Sequence, residues 1–235
     1  MKKFCLLIAA VLLMVFGWTA MVLCLREDAV VAARFHSPEL KNGVPPGWIL
    51  DRGAGKPVFR FEKDGESYVL KMISDRRSAF GISRPLCVNV RDYPYVNWRW
   101  KVDRLPRGGD VRKASTNDQA GQFYVAFTPV GIQARLNAPV VGYIWDNEAP
   151  KGLTVHSPYR FLGKVRYIVL RNKTDGLGRW QMEKRNVYED YKRLFPELKG
   201  GEPQGPTKGI QIYINSQNTR SEAEATMGEI YFSKR

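Results

Sequence analysis

Alternation of apolar and polar residues with a period of two is the dominant signal along this chain. In Val96-Asn97-Trp98-Arg99-Trp100-Lys101-Val102 every even position is apolar and every odd one polar, the pattern of a strand buried on one side. The habit recurs where Phe123, Val125 and Phe127 alternate with Gln122, Tyr124 and Ala126, and where Ile210, Ile212 and Ile214 alternate with Gln211, Tyr213 and Asn215. Residues 58–61 and 67–74 flank Asp64-Gly65, which predicts a hairpin. Residues 140–145 and 165–170 are apolar on both sides, as covered strands are. Residues 80–90, 179–185 and 229–233 complete a series of strands divided by Gly, Pro, Asn and Asp. One helix is predicted, from the stripe Val187, Tyr191, Leu194 and Phe195, with Asn186 as its cap, Glu189 three residues on and Pro196 beyond its end. The fold class that follows is all-β: a jelly-roll-like antiparallel β-sandwich with one short helix, preceded by an N-terminal apolar helix.

That apolar helix sets the expected address. Lys2 and Lys3 precede an uncharged run over residues 4–25. As a helix it would be about 33 Å long, enough to cross a bilayer core. Around Gly17-Trp18-Thr19-Ala20 the bulky Trp18 and Met21 crowd a cleavage site, and in Met21-Val22-Leu23-Cys24 a leucine stands where a lipoprotein signal has a small residue. Residues 1–25 therefore read as an uncleaved signal anchor, with a cleaved signal peptide as the alternative. In either case the two lysines stay in the cytoplasm and the body lies on the extracytoplasmic, periplasmic side. Residues 26–44 read as a spacer and residues 45–235 as the sandwich domain.

Composition removes several functions. Hydrophobic residues at 44% and charged residues at 26% describe a globular protein and exclude disordered and collagen-like chains. The net charge is +14, and +12 once the two lysines of residues 1–25 are set aside. Clustered, that charge favours anionic lipid, acidic polysaccharide or nucleic acid; dispersed, it only solubilises. Export argues against nucleic acid. With His36 in the spacer and His156 in a loop, no histidine is placed beside a nucleophile, and no His/Cys group has zinc spacing. Arg107-Gly108-Gly109 does not join a strand to a helix, so it is no phosphate loop. Cys87, the only cysteine beyond residue 25, is expected as a small core residue. No metal, cofactor or catalytic residue is assigned.

A binding face is the better-supported chemistry. If the three alternating strands share one sheet, their outward sides present Asn97, Arg99, Lys101, Gln122, Tyr124, Gln211, Tyr213 and Asn215. Planar rings stack on the apolar faces of sugars, while amides and guanidinium groups bind hydroxyls and carboxylates. The candidate ligand-binding residues are Arg99, Lys101, Asp118, Tyr124, Tyr213 and Asn215, for a glycan or acidic polysaccharide. Trp98 and Trp100 fall on the core side, and Trp145 is expected there too. An alternative is a glycan hydrolase or lyase using two of the carboxylates Asp103, Asp110, Asp118, Asp146 and Glu183. Another is a structural or assembly protein of the envelope, meeting an unknown protein partner through an apolar patch.

The order of segments also carries a resemblance. The run from Trp98 through Lys101 and Asp103 to Pro106 resembles the "WRWKVDxLP" signature of the bacterial domain-of-unknown-function family 3047. Asp118 with residues 123–127, Gly142-Tyr143-Ile144-Trp145, residues 167–171, Gly178-Arg179-Trp180 with Glu183, and the helix from Asn186 to Phe195 resemble further segments of that family in the same order. Asn218-Thr219 followed by Gly228-Glu229-Ile230-Tyr231-Phe232 is similar to its ending. The resemblance spans about residues 45–232. It implies an exported envelope protein with a sandwich related to carbohydrate-binding jelly rolls, and no activity. Asn215 and Gln217 stand where the family has two aspartates, and Gln122 where it has an arginine; neutral amides are weak ligands for hard cations.

Overall fold

The computed structural model describes residues 28–131, 138–159 and 164–235. The expected membrane anchor lies outside these residues. The described chain forms two packed sheets. The first has six strands, in the order β11 (Gln181–Asn186), β6 (Tyr95–Arg104), β13 (Ala223–Ser233), β4 (Ser67–Ser74) and β3 (Phe59–Asp64), with β1 (Ala29–Ala33) also pairing with β13. The second has seven, in the order β2 (Ile49–Ala54), β5 (Ala79–Pro85), β12 (Thr207–Asn215), β7 (Gly121–Phe127), β8 (Val140–Trp145), β10 (Val165–Arg171) and β9 (Thr154–His156). All pairings are antiparallel except β8 with β10, so this is the expected sandwich with one parallel pair.

Alternation decides what fills the space between the sheets. The even positions of β6 send Trp98 and Trp100 inward, where Trp98 meets Phe123 of β7 at 5.0 Å and Tyr143 of β8 at 5.1 Å between ring centroids. Trp100 meets Trp145 at 5.9 Å, so all three tryptophans are core residues as expected. Burying each such side chain contributes roughly 1.5–3 kcal/mol before entropy is counted. The predicted hairpin forms, with Asp64 opposite Ser67 and Gly65 in the left-handed region at φ 60°. The helix α1 (Val187–Leu194) is capped by Asn186, whose side chain accepts from the Glu189 amide at 3.0 Å. Its face of Val187, Tyr191 and Leu194 is buried, and Tyr143 donates to its Asp190 at 2.9 Å.

Three expectations change. The three alternating strands do not share one sheet: β7 and β12 are neighbours in the seven-stranded sheet, and β6 belongs to the other. The alternation is identical in all three because it records only that one side is buried, not against which sheet. The residues read as a spacer contribute β1 from Ala29 on, and Ala32, Ala33, Phe35 and Val44 are buried. Cys87 is exposed, because β5 ends at Pro85 and the segment that follows turns Val88 and Val90 into the core and Cys87 and Asn89 outward.

Candidate glycan-binding face

The outer side of the seven-stranded sheet is built from tyrosines set opposite glycines. Tyr213 of β12 pairs with Gly81 of β5, and Tyr124 of β7 and Tyr167 of β10 both pair with Gly142 of β8. A Cβ on Gly81 would stand 2.5 Å from Tyr213 Cδ2, and one on Gly53 of β2 would collide with the Tyr213 hydroxyl. The Tyr213 side chain therefore crosses from its own strand over β5 to β2 and lies along the sheet. Without a Cβ beneath it, the ring comes down onto backbone, the cross-strand arrangement by which an aromatic covers a strand glycine. A Cβ on Gly142 would likewise stand 2.9 Å from both Tyr124 Cε1 and Tyr167 Cδ1.

The two halves of this face differ in cover. Over β7 and β8 the tyrosines are closed in: Tyr124 is 8% exposed, its hydroxyl donates to Gln122, and its ring lies 6.1 Å from that of Tyr167. Gln122 Nε2 donates to Asn215 Oδ1 at 2.7 Å, and Asn215 Nδ2 donates to the Asn117 carbonyl at 2.7 Å and to Asp118 Oδ1 at 3.0 Å. Asp118 Oδ2 accepts from the Thr219 amide at 2.6 Å and the Thr219 hydroxyl at 2.8 Å. Tyr124, Asn215 and Asp118 thus meet in one buried chain of hydrogen bonds. Asp118 and Asn215 do not present themselves to solvent, and Tyr124 reaches the surface only at its edge. Alternation says which side of the sheet a residue takes, not whether a loop covers that side.

Over β2, β5 and β12 the face is open. Tyr213 is only partly buried, and burial with the nearby Asp51 carboxylate pushes its hydroxyl pKa up to about 12. A groove of about 380 Å³ opens next along the same strands; Ile49, Asp51, Ser83, Lys208 and Gln211 line it with the edge of Tyr124, and the Tyr213 ring lies outside its lining. Gln211 Nε2 donates to Asp51 Oδ2 at 2.9 Å, which leaves the second carboxylate oxygen and the amide oxygen as acceptors. Sequence reasoning missed Asp51, Ser83 and the glycine floor. Gly53, Gly81 and Gly142 inside strand patterns were the available signal, since a strand glycine often marks close approach by another group.

Arg99 and Lys101 stand on the outer side of the other sheet, away from these tyrosines. The Arg99 guanidinium lies over the Trp180 ring at 4.7 Å and pairs with Asp64, and the Lys101 ammonium lies 5.8 Å from the same ring. A larger cavity of about 620 Å³ opens there, lined by Arg34, Phe35, Tyr68, Asn97, Arg99 and Tyr231 among others. Most of its charges are matched within the protein, Arg34 with Glu229 and Arg99 with Asp64, while the Lys184 ammonium lies over the Tyr95 ring at 4.7 Å.

The carboxylates considered for catalysis are each engaged. Arg112 donates to both oxygens of Asp110 at 2.8 and 2.9 Å and holds its pKa below the ordinary value. Glu183 accepts from Arg171 at 2.7 Å and from the Trp100 indole at 3.1 Å. Asp103 lies 3.5 Å from Lys71 and from Lys101. Asp146 is fully buried, which raises its pKa, and accepts from the amides of Val111, Glu148 and Ala149 at 2.9, 2.9 and 2.7 Å. That is turn architecture, and the three carboxylates that line the larger cavity, Asp64, Glu183 and Glu229, are each paired with an arginine, Arg99, Arg171 and Arg34.

Comparison with known proteins gives similar shapes at low identity. The family 11 carbohydrate-binding module from Clostridium thermocellum, solved with a mixed-linked tetrasaccharide, is 9% identical over 88% of this chain and 95% of its own, with a TM-score of 0.43. A family 29 module complexed with mannohexaose is 6% identical over 88% and 91%, at 0.38. The module TmCBM61, solved with galactotriose, is 10% identical over 86% and 100%, at 0.39. No curated protein matches the chain. Residues 47–231 match the family described as "Protein of unknown function (DUF3047)", in agreement with the motifs in the sequence, and the chain belongs to that family.

Proposed function

We propose that this protein is an exported, membrane-anchored β-sandwich that binds a glycan, without covalent chemistry, on the open half of the seven-stranded sheet. One observation carries the reading: Tyr213 lies along the sheet over Gly81 and Gly53, beside a groove edged by Asp51, Ser83 and Gln211. A ring resting on strand glycines can serve as a platform for the apolar face of a sugar, and the carboxylate, hydroxyl and amide near it suit sugar hydroxyls. The basic start and long apolar run of residues 2–25 support the anchor. The engagement of every candidate carboxylate disfavours the hydrolase or lyase alternative. Titration of the full chain in detergent against a set of oligosaccharides tests the proposal. Saturable binding that Tyr213→Ala removes and Tyr213→Phe keeps supports it; binding indifferent to Tyr213→Ala contradicts it.

A second reading, an assembly role in the envelope, is favoured by Met182, which is 80% exposed beside the larger cavity on the six-stranded sheet. It predicts that Met182→Lys dissociates a protein complex, followed by light scattering, while glycan binding persists.

A further inference from the structure

At one end of the sandwich, three loops bring arginines around a single cavity. Arg76 comes from the β4–β5 connection, Arg104 and Arg107 from the end of β6 and the residues after it, and Arg220 from the β12–β13 connection. The cavity is about 440 Å³, and Thr219, Ser221, Leu105 and Glu222 complete its lining. Glu222 is its only acid and pairs with Arg104. Arg76, Arg107 and Arg220 have no ion pair among the described residues. All four arginines are exposed. Like charges gathered this way repel, and a folded protein with +12 on its body gains nothing in stability by concentrating them.

The loops are held in place by buried contacts. Ser74 Oγ bonds the Ser78 carbonyl at 2.8 Å and Ser216 Oγ at 2.7 Å, which ties the Arg76 loop to the end of β12. The Gly109 amide donates to the Pro106 carbonyl at 3.0 Å, closing the turn that carries Arg107. Asp118 grips Thr219, whose hydroxyl reaches Ser221 Oγ at 2.8 Å, and between them Arg220 sits in the left-handed region at φ 52°. A residue that carries a Cβ is uncommon there, and residues held in that region concentrate at ligand sites.

We infer that this cradle binds an oxyanion, the carboxylate of an acidic glycan, through Arg76, Arg107 and Arg220. Guanidinium groups match a carboxylate bidentately, and Ser221 Oγ in the same lining can meet a neighbouring sugar hydroxyl. A lipid surface fits less well: the exposed large hydrophobic residues of the described chain are Val31, Leu40, Ile49, Leu177 and Met182, and none lines the cradle. The inference rests on the reading of the ligand as a glycan and adds its charge. Asp118 links the cradle to the buried Tyr124 network, because it receives Asn215 with one oxygen and Thr219 with the other.

The test uses the full chain in detergent with three probes: an oligogalacturonate, a neutral oligosaccharide, and vesicles containing phosphatidylglycerol. The variant Arg76→Gln/Arg107→Gln/Arg220→Gln is compared with Lys56→Gln/Arg60→Gln/Lys63→Gln, which removes the same charge elsewhere. The first variant is expected to weaken oligogalacturonate binding about tenfold or more and the control by less than about twofold, in a salt-dependent way. Equal losses in both variants, or none in the first, overturn the inference and leave a diffuse basic surface. Arginine-dependent binding to vesicles without binding to oligogalacturonate overturns it in favour of a lipid headgroup. Binding of the neutral probe that depends on Tyr213 while the arginine variant is silent keeps the proposed function and removes the cradle from it.

Discussion

The outer faces of the two sheets come from the same alternating code and end in opposite chemistry. On the six-stranded sheet many outward residues are charged and pair with one another: Lys71 lies among Glu62, Asp103 and Glu224, and Arg99 is held between Asp64 and Trp180. On the seven-stranded sheet they are tyrosines, amides and glycines, and the polar groups are either buried in a hydrogen-bond chain or open beside Tyr213. Exposed ion pairs contribute little, and their charges are already partly neutralised by one another. A ring lying on backbone glycine, with acceptors beside it, presents a shape and leaves atoms to be satisfied. The larger cavity lies on the six-stranded sheet, yet the smaller groove has the chemistry of a ligand site, so volume alone does not choose between them.

Buried and exposed carboxylates give the sharpest contrast. Asp118→Ala strands the Thr219 amide and hydroxyl and one N–H of the Asn215 side chain, and is expected to cost about 3 kcal/mol in a denaturant titration. Asp64→Ala, which removes the partner of Arg99 on the other face, is expected to cost less than about 1 kcal/mol. Equal costs would erase the distinction between the faces. Gly81→Ala comes next, since its Cβ would press on the Ile212 carbonyl and the Tyr213 ring. A loss of about 2 kcal/mol is expected from that overpacking, together with displaced ligand binding.

Tyr213→Ala should lower stability by only about 1 kcal/mol, because the ring is partly exposed. Arg99→Ala should leave glycan binding where it was, which titration of both variants would check. The smallest effect is in the alkaline limb of the stability curve. With Tyr213 raised to about 12 from an ordinary value of 10.0, its contribution is whole below pH 10 and is lost as pH rises through 12, because the unfolded chain releases that proton first. Tyr213→Phe should therefore flatten the fall in stability between those limits, measured by urea midpoints against pH.

Much of this was legible in the sequence. Alternation placed Trp98, Trp100, Phe123 and the isoleucines of β12 in the core, and Asp64-Gly65 marked its hairpin. It placed Gln122, Tyr124, Tyr213 and Asn215 together because β7 and β12 are neighbours. It could not separate Arg99 and Lys101 from them, since period two is blind to which sheet a strand joins. Nor could it show that Tyr124 and Asp118 are buried, because covering depends on residues far away in the chain. The arginine cradle was invisible for the same reason: Arg76, Arg107 and Arg220 meet only through three separate loops.

The most direct test of the central claim is a titration of the full chain with a bound oligosaccharide, comparing Tyr213→Ala with Arg99→Ala/Lys101→Ala under the same conditions. The account predicts that Tyr213→Ala lowers affinity about tenfold or more while the double variant binds like the parent. Binding that survives Tyr213→Ala and disappears in the Arg99→Ala/Lys101→Ala variant would contradict it and move the site to the six-stranded sheet.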